Sequence, residues 1–160
     1  MLQSMSIHSK FKYVCSVFLL LITVLAVIAH AQIIISDLQP FNLGGWTIGS
    51  GDITANQNIC VSLLPQGPYS VVVDGDSQNG EFVLLGAFGS IAYQLYFNDR
   101  PRLNGRTELA PGVALTGLTG RRFPCNAPTA NLSIVIPEVN LTAASGGSYA
   151  STIELLVSPE

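Results

Sequence analysis

From Gln32 to Glu160 the sequence never sustains a helical period. It is a series of short runs rich in Val, Ile, Leu and Tyr, cut by Gly, Pro, Asn and Asp. Runs this short cannot supply the long apolar stripe of a packed helix, but they suit a pleated strand, whose side chains alternate between two faces. In "SIAYQLYFNDR" the set Ile91, Tyr93, Leu95 and Phe97 alternates with Ala92, Gln94 and Tyr96. "GGSYASTIELLVSPE" repeats the pattern: Tyr149, Ser151, Ile153, Leu155 and Val157 share one face, and only Ser158, Pro159 and Glu160 follow. Strands are expected over 33–36, 46–53, 58–64, 69–74, 81–85, 91–97, 112–118, 132–136 and the final run. Many short strands separated by turn residues predict an all-β sandwich. No internal repeat or linker divides it, so one domain is expected over 32–160.

The first 31 residues are of another kind. Lys10 and Lys12 precede an uncharged apolar run, 13–28, which closes on Ala29-His30-Ala31. A basic start, an apolar centre and small residues at the two positions read by a signal peptidase describe a secretory signal, with cleavage expected before Gln32. Cys15 lies at the start of the apolar run and is expected to leave with it.

Removing that segment removes both histidines and both lysines, and leaves five arginines against ten acids. An acidic chain of this sort is a poor ligand for nucleic acid or anionic membrane. Without histidine or lysine a serine or cysteine nucleophile has no ordinary base, Schiff-base chemistry is closed, and zinc lacks its commonest ligand. A carboxylate pair of the glycosidase kind remains formally open, but no aromatic-lined stretch gathers two acids. The expectation is a protein that is not an enzyme and holds no cofactor or metal. Asp74, Asp76 and Glu81 do not fit a calcium loop, because counting from Asp74 the positions that need Gly and Glu hold Asn79 and Leu85. Asn79-Gly80 instead reads as a hairpin turn between two apolar runs.

Two cysteines remain in a chain bound for an oxidising compartment, so Cys60 and Cys125 are expected to be joined. Closing that loop contributes about 4 kcal/mol in the chain-entropy view. All five arginines, Arg100, Arg102, Arg106, Arg121 and Arg122, fall in one loop-rich segment. They are either exposed loop charges or a grip for a carboxylate, phosphate or acidic glycan. Asn131-Leu132-Ser133 and Asn140-Leu141-Thr142 match the glycosylation sequon, a pattern that often arises by chance.

The order of landmarks carries a resemblance. "NICVSLL" at Cys60 is followed by "GPYSVVV", "IAYQLYFND", Cys125, "LSIVIP" and the closing "GGSYASTIELLVSPE". Together these resemble the spore coat protein U domain, the subunit domain of Csu-type, or archaic, chaperone/usher pili. The resemblance implies an immunoglobulin-like sandwich lacking one strand, so that the last strand borders an open groove. It implies that Tyr149, Ile153, Leu155 and Val157 line that groove, which a periplasmic chaperone and then another pilus subunit fill by β-strand addition after export through an outer-membrane usher. It also implies a secreted, surface-borne fibre serving adhesion and biofilm formation. One departure is visible: 32–38 runs directly into "PFNLGGW", which resembles the first strand and turn of the domain itself. No donor segment is evident before it, which leaves two readings: a minor tip or capping subunit, although the family's tip adhesins resemble two such domains in tandem, or a subunit that uses the short Ile33–Ile35 stretch as a poor donor. The alternative is a self-sufficient secreted sandwich that binds a glycan or protein through its loops.

Overall fold

The computed structural model describes residues 31–122 and 124–160, with Arg122 by its backbone alone. The leader expected before Gln32 lies outside them. Twelve strands and one short helix follow in order: β1 (Gln32–Ser36), β2 (Ile53–Leu64), β3 (Pro68–Gly75), β4 (Ser77–Gln78), β5 (Glu81–Gly86), β6 (Gly89–Asn98), β7 (Thr107–Leu109), β8 (Leu115–Thr119), β9 (Arg121–Arg122), β10 (Ala130–Ile136), α1 (Glu138–Ala143), β11 (Tyr149–Ala150) and β12 (Ile153–Pro159). One sheet runs β1-β2-β10-β6-β5-β11, with β4 on β5, β7 on β6 and β9 on β2. The other runs β12-β3-β8. All ladders are antiparallel except β2 with β9.

The two sheets close on one core, as an all-β sandwich does. Ile59, Val61 and Leu63 of β2, Tyr93, Leu95 and Phe97 of β6 and Leu132, Ile134 and Ile136 of β10 face Tyr69, Val71 and Val73 of β3. Tyr69 meets Phe97 edge-on across the core, ring centroids 6.4 Å apart, and Phe82 stacks on Tyr93 at 5.6 Å. The alternation read in β6 decides which side chains these are: Ile91, Tyr93, Leu95 and Phe97 are all buried, while Ala92, Gln94 and Tyr96 are half-buried on the other face.

Four expectations change. No strand forms over 46–52. There the Trp46 indole N–H donates to the Gly51 carbonyl at 2.8 Å and the Ser50 N–H to the Thr47 carbonyl at 3.1 Å, so the polar groups are satisfied locally and no ladder is needed. β2 is longer than its apolar text, because its polar first half, Ile53 to Asn58, pairs with β10. Asn79 and Gly80 do form a tight turn, with φ of 55° and 82°. It joins β5 only to the two-residue β4, since β3 belongs to the other sheet. Lastly, the final run is not one strand. Tyr149 and Ala150 pair with β5, the chain then crosses, and Ile153 to Pro159 pair with β3.

The crossing depends on two close approaches. A Cβ on Gly86 would lie 2.6 Å from the Tyr149 ring, and one on Gly75 would lie 2.7 Å from the Thr152 carbonyl oxygen. Only glycine lets the chain pass this near both sheets. The Thr152 N–H, freed at the corner, is accepted by the Asp76 carboxylate at 3.3 Å.

Cys60 of β2 is bonded to Cys125 of the segment entering β10, Cα atoms 5.8 Å apart. Beside it Thr129 clamps the same junction. Its Oγ1 accepts the Val61 N–H and donates to the Val61 carbonyl, both at 2.8 Å, and its own N–H donates to Ile59 O at 2.9 Å.

Candidate functional site

Among the described residues β12 pairs with β3 on one side and with no strand on the other. β1 contacts it without pairing, since the ladder of β1 is with β2, Gln32 opposite Leu64 through Ser36 opposite Cys60. The free edge of β12 therefore borders a groove of about 700 Å³. One wall is β11, the crossing and the first half of β12: Tyr149, Ala150, Ser151, Thr152, Ile153 and Leu155. The opposite wall is the irregular segment from Leu38 to Gly44. The floor is sandwich core, namely the half-buried Leu84 of β5 and the buried Tyr93 of β6 and Leu132 and Ile134 of β10. No lining residue is charged.

Each wall is held from one side only. The 38–44 segment has no strand partner among the described residues, and what ties it to β2 is a side chain. Gln57 accepts the Gln39 N–H with its Oε1 at 2.8 Å and donates its Nε2 to the Gln39 carbonyl at 3.0 Å, a reciprocal pair that imitates one rung of a ladder. Phe41 and Leu43 then lean on the core half-buried. On the other wall Tyr149 is fixed by its hydroxyl, which donates to the Ser145 carbonyl at 2.7 Å. Ile153 and Leu155 are half-buried, while Glu154 and Leu156 between them face outward, Leu156 at 48% exposure.

Of the four residues that the sequence resemblance puts along a groove, Tyr149, Ile153 and Leu155 line this one. Val157 lies beyond its lining and packs half-buried against the core, at the end of β12 paired with Val71. The floor residues and the 38–44 wall carry no local sign in the sequence. Tyr93 and Leu132 read as ordinary core positions, and "PFNLGGW", expected to resemble a first strand and turn, forms no strand.

Two hydroxyls, of Tyr93 and Ser151, meet in the groove lining. Tyr93 is 4% exposed, and burial pushes its phenol above its ordinary pKa, the adjacent Ser151 hydroxyl acting the other way and the Asp76 carboxylate adding to the rise. Ser151 Oγ faces that phenol but is buried with no hydrogen bond of acceptable geometry among the described residues. Asp76 is engaged by Thr152, as above, and Asp74 accepts the Gly75 N–H at 2.8 Å. Across β12 and β3, Glu154 and Asp74 stand directly opposite one another on the outer face, both exposed.

The arginine segment lies elsewhere. Arg100, Arg102 and Arg121 are exposed. The loop carrying Arg100 and Arg102 is organised by the buried Asn98, whose Nδ2 donates to the Arg102 and Asn104 carbonyls at 2.9 Å and whose Oδ1 accepts the Arg100 N–H at 3.1 Å. Arg106 differs: half-buried, it lies over the Tyr96 ring at 4.3 Å and donates to Ser133 Oγ at 3.1 Å, covering the outer face of β6 and β10. Of the two sequons, Asn131 is buried and paired with Asn58 at 2.8 Å, and Asn140 donates to the Ala92 carbonyl at 2.9 Å. Among the described residues no group of three or more His, Cys, Asp or Glu gathers as metal ligands, and no helix is long and apolar enough to cross a membrane.

No protein-family model and no curated protein matches the sequence. Among solved structures, the fold is similar to a chain from work described as a chaperone–tip adhesin complex vital for synergistic activation of CFA/I fimbriae biogenesis, with a TM-score of 0.54 and 13% sequence identity. The match covers 81% of this chain and 42% of that one, so this chain spans less than half the length of the structure it resembles. At that identity the likeness is one of fold: an all-β sandwich of a kind found in a fimbrial assembly.

Proposed function

We propose that this chain is a structural subunit of a surface fibre, of the archaic chaperone/usher kind, whose groove accepts a β-strand from a partner chain. A periplasmic chaperone fills the groove first and a neighbouring subunit replaces it, after the secretory leader is removed. The role is non-covalent and needs no catalytic residue or cofactor. The observation that carries this reading is the open groove beside the free edge of β12, because its wall residues Tyr149, Ile153 and Leu155 are only half-buried above a floor of core side chains. An unpaired edge beside half-buried apolar side chains is a hazard for a lone protein and an asset for one completed by a partner. The likeness in fold to a chain of a fimbrial chaperone–adhesin complex supports the same reading.

The test is completion in trans. The purified chain alone is expected to aggregate or unfold with low cooperativity. A peptide of alternating apolar residues is expected to convert it to a monomer, each apolar side chain that it buries contributing about 1.5–3 kcal/mol. Leu155→Asp defeats the rescue by placing an unpaired carboxylate in the groove. Leu156→Asp, on the outward face, leaves it largely intact. A chain that is already monomeric, unfolds cooperatively and gains nothing from any peptide refutes the proposal and points to a self-sufficient sandwich.

A further inference from the structure

Resting on the strand-acceptor reading above, we infer that Gln57 is the positioning residue of the groove: its side-chain amide holds the 38–44 wall in the place a partner strand needs it, so that the wall neither frays nor falls into the groove. Along β2 the inward phase is Ile53, Ala55, Gln57, Ile59, Val61 and Leu63, while Thr54, Asn56 and Asn58 between the first of them are exposed. Gln57 is the one polar side chain of that inward phase. It is half-buried, it lines the groove, and it stands opposite the floor residue Leu132 of β10. An amide in such a place costs free energy unless it is bonded. Both of its bonds go to the main chain of one residue of the wall, Gln39, at 2.8 and 3.0 Å.

The register explains why this side chain can do so. The β1–β2 ladder ends with Ser36 opposite Cys60, and three residues further the same register sets Gln39 opposite Gln57. The main chain does not follow it. Asp37 is left-handed, with φ of 66°, and Pro40 has no N–H to give a ladder. The amide of Gln57 stands in for the missing rung, and because it projects from the inward phase it holds the wall off the edge of β2, toward the sandwich interior. At the far end of the wall Gly44 is left-handed too, with φ of 70°. Between these two bends lie Leu38, which is exposed, and Phe41 and Leu43, which are half-buried. Burying more of them in the apolar groove is favourable. Without the Gln57 amide the wall therefore either competes with the incoming strand or loses its order, which the strand then has to restore. Both outcomes lower the affinity for a strand.

The experiment measures that affinity. The oxidised chain is refolded with graded concentrations of a synthetic peptide alternating valine and threonine, and the monomeric complex is quantified by size. Gln57→Met, close in length but without an amide, and Gln57→Asn, whose amide is one methylene short of Gln39, are each expected to raise the midpoint concentration about tenfold. Asn56→Ala, an exposed neighbour on the outward phase, is expected to leave it within about twofold. Hydrogen exchange of the complexes at saturating peptide separates positioning from general stability. The Gln39 amide is expected to be protected in the unsubstituted chain and to lose that protection in Gln57→Met, while the amides of β10 keep theirs. The inference is overturned, and the acceptor reading stands, if the unsubstituted chain binds the peptide and either Gln57 variant binds it equally well or more tightly. The same holds if β10 loses protection in step with Gln39, or if neither variant refolds at any peptide concentration, since Gln57 is then a residue of general stability. If the unsubstituted chain retains no peptide, the acceptor reading falls and the inference with it.

Discussion

β10 and β12 are both seven residues long and both read as apolar runs, "ANLSIVI" and "IELLVSP". In the fold they are opposites. Every residue of β10 is buried, because β2 and β6 flank it, the core covers one face, and Arg106 helps cover the other. No residue of β12 is fully buried, and its inward residues alternate half-buried with exposed ones along an edge that has a single partner. Saturation of a strand is thus set by its neighbours. An apolar strand left with one neighbour is where a sandwich stays open to association.

That contrast can be broken or sharpened by substitution. The largest loss is expected on the saturated side, where Cys60→Ala or Cys125→Ala opens the loop bonded beside β10. A cost of about 4 kcal/mol is expected in denaturant unfolding, with lower secretion yield. Two alkylatable thiols in the unreduced, secreted protein would contradict the pairing itself.

Next is Ile136→Ala in β10, at about 3 kcal/mol, since a residue at 1% exposure leaves a cavity that flanking strands cannot collapse into. This cost should be the same with and without a groove-filling peptide. Leu155→Ala in β12 is expected to behave differently. Alone it costs about 1 kcal/mol, because the side chain is only partly out of water, and the cost rises toward about 2 kcal/mol once a peptide buries it. Equal values in the two conditions, read from urea midpoints, would remove the distinction between the strands.

The smallest effects belong to the arginines. Arg106→Ala is expected to cost about 1 kcal/mol through lost stacking on Tyr96 and loss of the hydrogen bond to the buried Ser133 hydroxyl. Arg102→Ala or Arg121→Ala changes stability by less than about 0.5 kcal/mol and leaves peptide rescue unaltered. A loss of rescue in either would tie the arginine loop to the groove.

The sequence alone determined the strand character of Ile91 to Phe97 and which face of it is core, because a period of two is a local property of consecutive residues. It determined the Asn79-Gly80 turn for the same reason, since positive φ is a local demand. Cys60 and Cys125 were legible as a pair from their count and compartment. Other features needed the tertiary structure. The polar half of β2 became a strand only because β10 lies beside it, and β3 left its apparent hairpin partner for the other sheet. The run from Tyr149 to Val157 keeps one alternation while its halves join different sheets, a break permitted by Gly75 and Gly86, far away in sequence. The groove is the clearest case. Its walls and floor come from segments remote along the chain, from Leu38 to Leu155. Alternation says which side chains face inward, but what covers them there depends on the packing of the whole chain.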